Sequence, residues 1–365
     1  MTRSEGAGVA DVSRLVIRAP NWLGDAVMAL PAMGVVRTAC PKTHIAIAAV
    51  PAIAPLFAER TSAAQDSVIV LQDHAAEIPA LRAAAFDAAL LLPNSFRSAW
   101  SAYRASIPER WGYAAAGRRP LLTRSVRRPR GRIHQSEYYL ALVEGLGFTR
   151  GTVSPHVAVE PGTLARSEAL LAAHGVDRAA TCVGFAPGAA YGHAKRWPPR
   201  MVAETIARLS REHGARCVLF GAADDRDSGR EIESSLPAGV AVVNLIARTD
   251  LRVLAGAISR CAAFVSNDSG AMHLAAALGV PVVAIFGPTD ERVTAPVGGT
   301  DRQGIVVNPD VLLHPVFCRP CMLRDCPIDH RCMKGVTVEV VVSAVVRRLG
   351  DVTGVGQITP GEVRA

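Results

Sequence analysis

The chain has 365 residues, of which 50% are hydrophobic and 20% charged, a balance that excludes extensive disorder and accommodates two cores at roughly 100–200 residues per domain. Its formal net charge of +8 comes more from arginine than from lysine and points to an anionic partner. The longest apolar stretch, residues 270–288, is interrupted by His273, Gly279 and Pro281, which excludes a membrane span.

No positively charged and then apolar leader opens the sequence, so a cytoplasmic location is expected, with the first and last dozen residues as loose ends. Of eight cysteines, Cys182, Cys217 and Cys261 sit in or beside apolar segments and read as reduced, buried thiols.

Strand patterns alternate with helical ones almost throughout, the signature of an α/β chain with parallel sheets. In the first half the strands are predicted at 15–17, 45–48, 68–71 and 88–92. A second series follows Pro161, at 182–186, 217–220, 240–244, 264–266 and 282–286. Two α/β domains are therefore expected, 14–160 and 161–336, meeting where Pro155, Pro161 and Gly162 fall. A last helical pattern, within 337–350, comes after the second series is complete and could pack across both halves. Ligands of open α/β sheets bind outside the carboxyl ends of the strands, so the polar residues just after strands are the candidates.

The first strand runs into RAPNWLGDAVMALPAM, where Asn21, Gly24 and Asp25 precede an apolar helix. Asp25 reads either as a capping aspartate or as a carboxylate that takes a proton from an attacking hydroxyl. Seven arginines between 118 and 132, Arg127 and Arg128 among them, form either a solvated loop or a docking surface for an anionic acceptor. Nucleic acid is disfavoured, because the segment lacks interleaved aromatics.

In the second half, PGAAYGHAKRWP places the small residues Gly188, Ala189 and Ala190 before Lys195, a composition suited to backbone N–H groups and one compact cation around a diphosphate. After the next strand, GAADDRD offers Asp224 and Asp225 as helix caps or as acceptors for a ribose. The turn NDSGAMHLAAALG sets Asp268, Ser269 and Gly270 at a helix start, with His273 one turn on, and so offers N–H groups and the positive helix end to phosphate. Finally, Cys318, Cys321, Cys326 and Cys332 follow the spacing C-x2-C-x4-C-x5-C around His330. Tetrahedral zinc could use four such groups, but the spacing is tighter than in common zinc modules, and no metal is assigned.

Together, NWLGDAVMALPA, PGAAYGHAKRWP, NDSGAMHLAAALGVPVVAIFGPTD and CRPCMLRDCPIDHRCM resemble the ADP-heptose:lipopolysaccharide heptosyltransferases of glycosyltransferase family 9, over residues 15–349. The cysteine-bearing piece looks most like the type II members, which add the second heptose. The resemblance implies a GT-B fold, two Rossmann-like domains facing across a central cleft. It also implies an inverting transfer of L-glycero-D-manno-heptose from ADP-heptose to the heptose I residue of the lipopolysaccharide inner core, without metal or other cofactor.

By matching position it implies Asp25 as general base and Lys195 on the donor diphosphate. Gly188, Ala189, Asp268, Ser269, Gly270 and His273 would complete the donor pocket, with Asp225 or Asp224 on the ribose. Asn21, Gly24, Arg127 and Arg128 would face the anionic lipid A–Kdo–heptose acceptor, in peripheral contact with the inner face of the cytoplasmic membrane. A type I or III transferase, a transferase with another donor, and a GT-B-fold nucleotide-sugar epimerase are the alternatives.

Overall fold

The computed structural model describes residues 12–151, 154–190, 192–300 and 306–353; apart from Val12, the ends expected to be loose lie outside these residues. The first sheet has six parallel strands: β1 (Arg14–Arg18), β2 (His44–Ala49), β3 (Ser67–Val70), β4 (Ala88–Leu91), β5 (Glu109–Tyr113) and β6 (Arg124–Val126). Their order across the sheet is β3-β2-β1-β4-β5-β6. The second sheet repeats that order as β9-β8-β7-β10-β11-β12. Its strands are β7 (Cys182–Ala186), β8 (Arg216–Leu219), β9 (Val243–Asn244), β10 (Ala263–Asn267), β11 (Val282–Phe286) and β12 (Asp310–Leu313).

The central strands are unbroken apolar runs because helices cover both faces, as parallel sheets require. The residues of β4, β7, β10 and β11 are all buried. Both sheets have the doubly wound order, in which the direction of winding reverses between the first and fourth strands. Each therefore opens a crevice at its carboxyl edge, between β1 and β4 in one half and between β7 and β10 in the other.

Of the strands in these two sheets, three are missing from the sequence reading and one is shorter than predicted. The outer strands β5 and β6 carry Glu109, Arg110 and Arg124 and read as polar. Side-chain contacts hold them: within β5 the Trp111 indole N–H donates to Glu109 at 2.9 Å, and across from β6 Arg124 pairs with Glu109 at 3.4 Å while lying over the Trp111 ring. β12 closes the second sheet from the other side, and β9 spans Val243–Asn244 alone, after a turn in which Val240 donates to Pro237.

The arginine-rich segment is likewise not uniform. Arg118 is 0% exposed; its guanidinium donates to the carbonyls of Tyr113 at 3.0 Å and of Pro93, and to the Ser98 hydroxyl at 3.1 Å. Burial lowers its pKa to about 10. This side chain is an internal strut between β5 and the loop after β4.

The halves are joined by a polar contact centred on a buried carboxylate. Glu59, buried in the first half, accepts from the Glu160 N–H at 2.5 Å, from Thr163 at 2.8 Å and from Arg252 Nε at 2.5 Å. Thr163 and Arg252 lie on helices Pro161–Ala173 and Leu251–Ile258. The C-terminal helix, Val338–Thr353, packs on helix Pro199–His213 and strands β10, β11 and β12 of the second half, with Val341, Ala344 and Val345 in that core.

Replacing Arg118 by alanine strands several buried carbonyls and is expected to lower stability by about 2–4 kcal/mol. Arg130→Ala, on the exposed part of the same segment, should stay within about 0.5 kcal/mol. Urea unfolding of the two variants checks the difference.

Candidate active site

Beyond β1 the chain turns at Ala19. Buried Arg18 shapes the turn, its guanidinium donating to the Ala19 carbonyl at 2.6 Å and to Asn21 Oδ1 at 2.9 Å. Trp22, 67% exposed, caps helix Leu23–Met28 without a side-chain hydrogen bond. Asp25 is the third residue of that helix, so it is not the N-cap itself.

On the opposite half, Asn267 at the end of β10 fixes two loops at once. Its amide oxygen accepts from the Trp197 N–H at 3.1 Å, and its amide nitrogen donates to the Pro187 carbonyl at 2.7 Å. Lys195 and Asp268 are thereby held as an ion pair, Nζ to Oδ2, at 2.7 Å. Ser269 begins helix Gly270–Ala277 without a side-chain cap bond; its hydroxyl meets that of Ser266 at 3.0 Å. The first N–H groups of that helix keep their donor capacity toward the cleft.

The two sites face each other because two glycines let the helix starts touch. A Cβ on Gly270 would meet Leu23 Cβ at 2.9 Å and the Gly24 nitrogen at 3.2 Å, and one on Gly24 would meet the His273 ring at 2.9 Å. A cleft of about 350 Å³ results, lined from the first half by Trp22, Gly24, Asp25 and Met28 and from the second by Lys195, Asp268, Ser269, Gly270 and His273. Its other rim is tied by His134, whose Nε2 lies 2.8 Å from the Ala295 carbonyl, and by Arg132 with Asp290 at 3.3 Å.

The electrostatics follow from burial in this narrow space. The Asp25 carboxyl is raised above the ordinary range, first by desolvation and then by the nearby Asp268 charge, with Lys195 acting in the other direction. Burial also lowers the His273 pKa to about 4, so its ring is neutral. Tyr139, on the neighbouring helix Gln135–Gly145, is raised by burial and then by Asp25.

Eight of the residues singled out in the sequence thus line one cleft: Gly24, Asp25, Ala190, Lys195, Asp268, Ser269, Gly270 and His273. Gly188 and Ala189 are buried behind it. A side chain at 188 would collide with the Asp225 carboxylate, which is itself occupied, accepting from the Ala222 N–H at 3.0 Å and facing Arg196 at 3.3 Å. Asp224 is exposed. Arg127 and Arg128 are exposed on the first half, Arg128 lying 5.8 Å over the Tyr138 ring, whose hydroxyl receives a hydrogen bond from Asn94 at 2.8 Å.

Sequence reasoning missed Trp22, Met28, Thr294 and Arg324 among the lining residues. Arg324 belongs to the cysteine segment, which packs on the phosphate loop: its carbonyl accepts from the Ala194 N–H at 2.8 Å, and Asp325 meets His193 at 3.2 Å. Asn94, in the loop after β4, has a buried Oδ1 without a partner. Among the described residues no three His, Cys, Asp or Glu side chains are arranged to hold a metal ion.

Because folded His273 takes a proton only near pH 4 and the unfolded chain takes it near 6.5, stability is retained in full above about 6.5 and lost as pH falls toward 4. Urea midpoints between pH 7 and 4.5 should show this loss, and His273→Gln should remove that part of the slope.

The model of glycosyltransferase family 9 (heptosyltransferase) matches residues 76–324. Lipopolysaccharide heptosyltransferase 2 of Salmonella typhimurium is 31% identical over 312 residues, 79% of this chain and 87% of the relative. Lipooligosaccharide heptosyltransferase 2 of Haemophilus influenzae is 31% identical over 316 residues, 80% of this chain and 88% of that protein. The structure of E. coli ADP-heptose lipopolysaccharide heptosyltransferase II superposes with a TM-score of 0.78 at 27% identity, covering 93% of this chain and 99% of that one.

Proposed function

The chain belongs to glycosyltransferase family 9, the heptosyltransferases, and we infer that it transfers L-glycero-D-manno-heptose from ADP-heptose to the heptose I residue of a lipopolysaccharide inner core. The relatives named heptosyltransferase 2 support that choice of donor and acceptor. The observation that carries it chemically is the opposition of Asp25, on one half, to Lys195 and the uncapped helix start at Ser269 on the other.

In this reading the ADP diphosphate takes the N–H groups at Gly270 and the Lys195 ammonium, which Asp268 holds in place beforehand. The acidic turn with exposed Asp224 faces the ribose, while Asp225 keeps the loop in shape. An acceptor hydroxyl attacks the sugar C1 from the side opposite the diphosphate. The C1–oxygen bond to ADP breaks, its electron pair leaves with the nucleotide, and the hydroxyl proton passes to Asp25, so that the configuration at C1 inverts.

Fixed N–H dipoles and one buried cation meet the charge that develops on ADP, so the transfer needs no metal. Burial of Asp25 raises its affinity for that proton, which suits a base that must accept it only as the new bond forms. Closure around the donor excludes water, which would otherwise hydrolyse it. Arg127 and Arg128 engage the anionic acceptor, whose lipid brings the protein to the inner face of the cytoplasmic membrane.

Asp25→Asn should retain ADP binding and lose at least ~100-fold in turnover. In the wild type kcat/KM should fall as pH drops through a value above the ordinary carboxylate range, and Asp25→Asn should lack that limb. Normal turnover by the variant removes Asp25 from the reaction.

Substituting Arg127 and Arg128 together by glutamine should raise the acceptor KM several-fold, with donor KM unchanged, in an assay of ADP-heptose with defined truncated lipopolysaccharides. Preference for a UDP-sugar, or donor turnover without acceptor, would overturn the assignment.

A further inference from the structure

Helix Phe96–Arg104 is turned the wrong way for an ordinary surface helix. Ser98, Ala99, Ser101 and Ala102 face the core, and the large residues face out: Phe96 is 49% exposed, Trp100 39% and Tyr103 49%. Positions i, i+4 and i+7 share one stripe of a helix. The rings touch along it, with centroids 6.2 Å apart from Phe96 to Trp100 and 5.9 Å from Trp100 to Tyr103.

Arginines flank the stripe. Arg104 lies 5.6 Å over the Trp100 ring and Arg110 5.6 Å over Tyr103; Arg97 and Arg104 stand together along one side. Among the described residues neither Arg97 nor Arg104 is paired with a carboxylate.

We propose that this aromatic and arginine stripe is where the protein rests on a bilayer containing anionic phospholipid. Tryptophan, tyrosine and phenylalanine beside arginine form the side-chain set that settles at the headgroup level, rings inward and guanidinium groups on phosphate. Half-exposed rings on a nine-residue helix offer on the order of 300 Å². Each partner in a stable protein complex contributes roughly 800 Å², so the stripe suits a shallow insertion better than a protein interface.

Its position gives the docking a purpose. The helix follows β4 directly, so its first residues adjoin the crevice between β1 and β4. Arg97 acts electrostatically on Arg18, whose guanidinium holds Asn21 on the proposed acceptor side. A membrane seated on the stripe lies beside the mouth through which a lipid-borne sugar must enter, and in this respect the inference rests on the acceptor assigned above.

The test combines sedimentation with vesicles and turnover. Wild-type protein should sediment with vesicles of phosphatidylethanolamine and phosphatidylglycerol and much less with phosphatidylcholine alone. The combined variant Phe96→Ser, Trp100→Ser, Tyr103→Ser should lower the bound fraction by at least ~10-fold, keep wild-type turnover on a delipidated, water-soluble acceptor, and lose turnover on acceptor embedded in vesicles. Arg97→Gln with Arg104→Gln, which leaves the rings in place, should abolish the preference for anionic vesicles.

Equal vesicle binding by the aromatic variant overturns the proposal. So does an oligomer of the wild type that the aromatic variant dissolves while vesicle binding stays unchanged, which would assign the stripe to a second copy. A wild type that ignores anionic vesicles yet turns over the soluble acceptor also overturns it and leaves the transfer intact. Vesicle binding through the stripe without any heptosyl transfer instead sinks the functional reading alone.

Discussion

The contact between the two helix starts at Gly24 and Gly270 is the constraint from which the rest of this molecule follows. Two doubly wound sheets each produce a crevice at their carboxyl edge, but nothing in either sheet decides how the crevices meet. That decision is steric: with 2.9 Å available to a Cβ on either residue, only hydrogen fits, and the backbones close to contact. The closeness brings a carboxylate on one half within electrostatic reach of an ammonium and a carboxylate on the other.

Within the cleft the charges are graded rather than merely abundant. Lys195 and Asp268 neutralise each other at 2.7 Å, which makes burial of both tolerable and fixes the ammonium in one direction. Among the described residues Asp25 has no such ion-pair partner, and burial raises its affinity for its proton. His273 answers the same burial by refusing one. An arriving diphosphate meets a site with an oriented lysine, Arg324 in the lining and a row of N–H dipoles.

The parts of this arrangement legible in the sequence are those whose physics is local. Small residues and a lysine after a strand, or Asp-Ser-Gly before an Ala-rich helix, announce an anion site because loop and helix start are contiguous in the chain. Arg324 was not legible, because its place beside Lys195 depends on the cysteine segment folding onto the phosphate loop through the Ala194–Arg324 hydrogen bond. The outer strands β5 and β6 were hidden by charges that satisfy one another across the sheet. The burial of Arg118 inside an arginine run depends on the carbonyls of Tyr113 and Pro93 that folding brings around it, and the outward turn of Phe96, Trp100 and Tyr103 depends on which helix face the sheet claims; periodicity alone gives neither.

Among the described residues two ionic contacts span the halves, and solvent treats them differently. Glu59, 1% exposed, is enclosed by Arg252, Thr163 and the Glu160 amide, and the Arg252 side chain is 34% exposed. Arg132, across from Asp290, is 66% exposed and lies within the ionic atmosphere, whose screening length is about 8 Å at physiological strength. Dissolved electrolyte therefore loosens the Arg132–Asp290 contact more than the one at Glu59, so ionic strength acts unevenly on the seam between the halves.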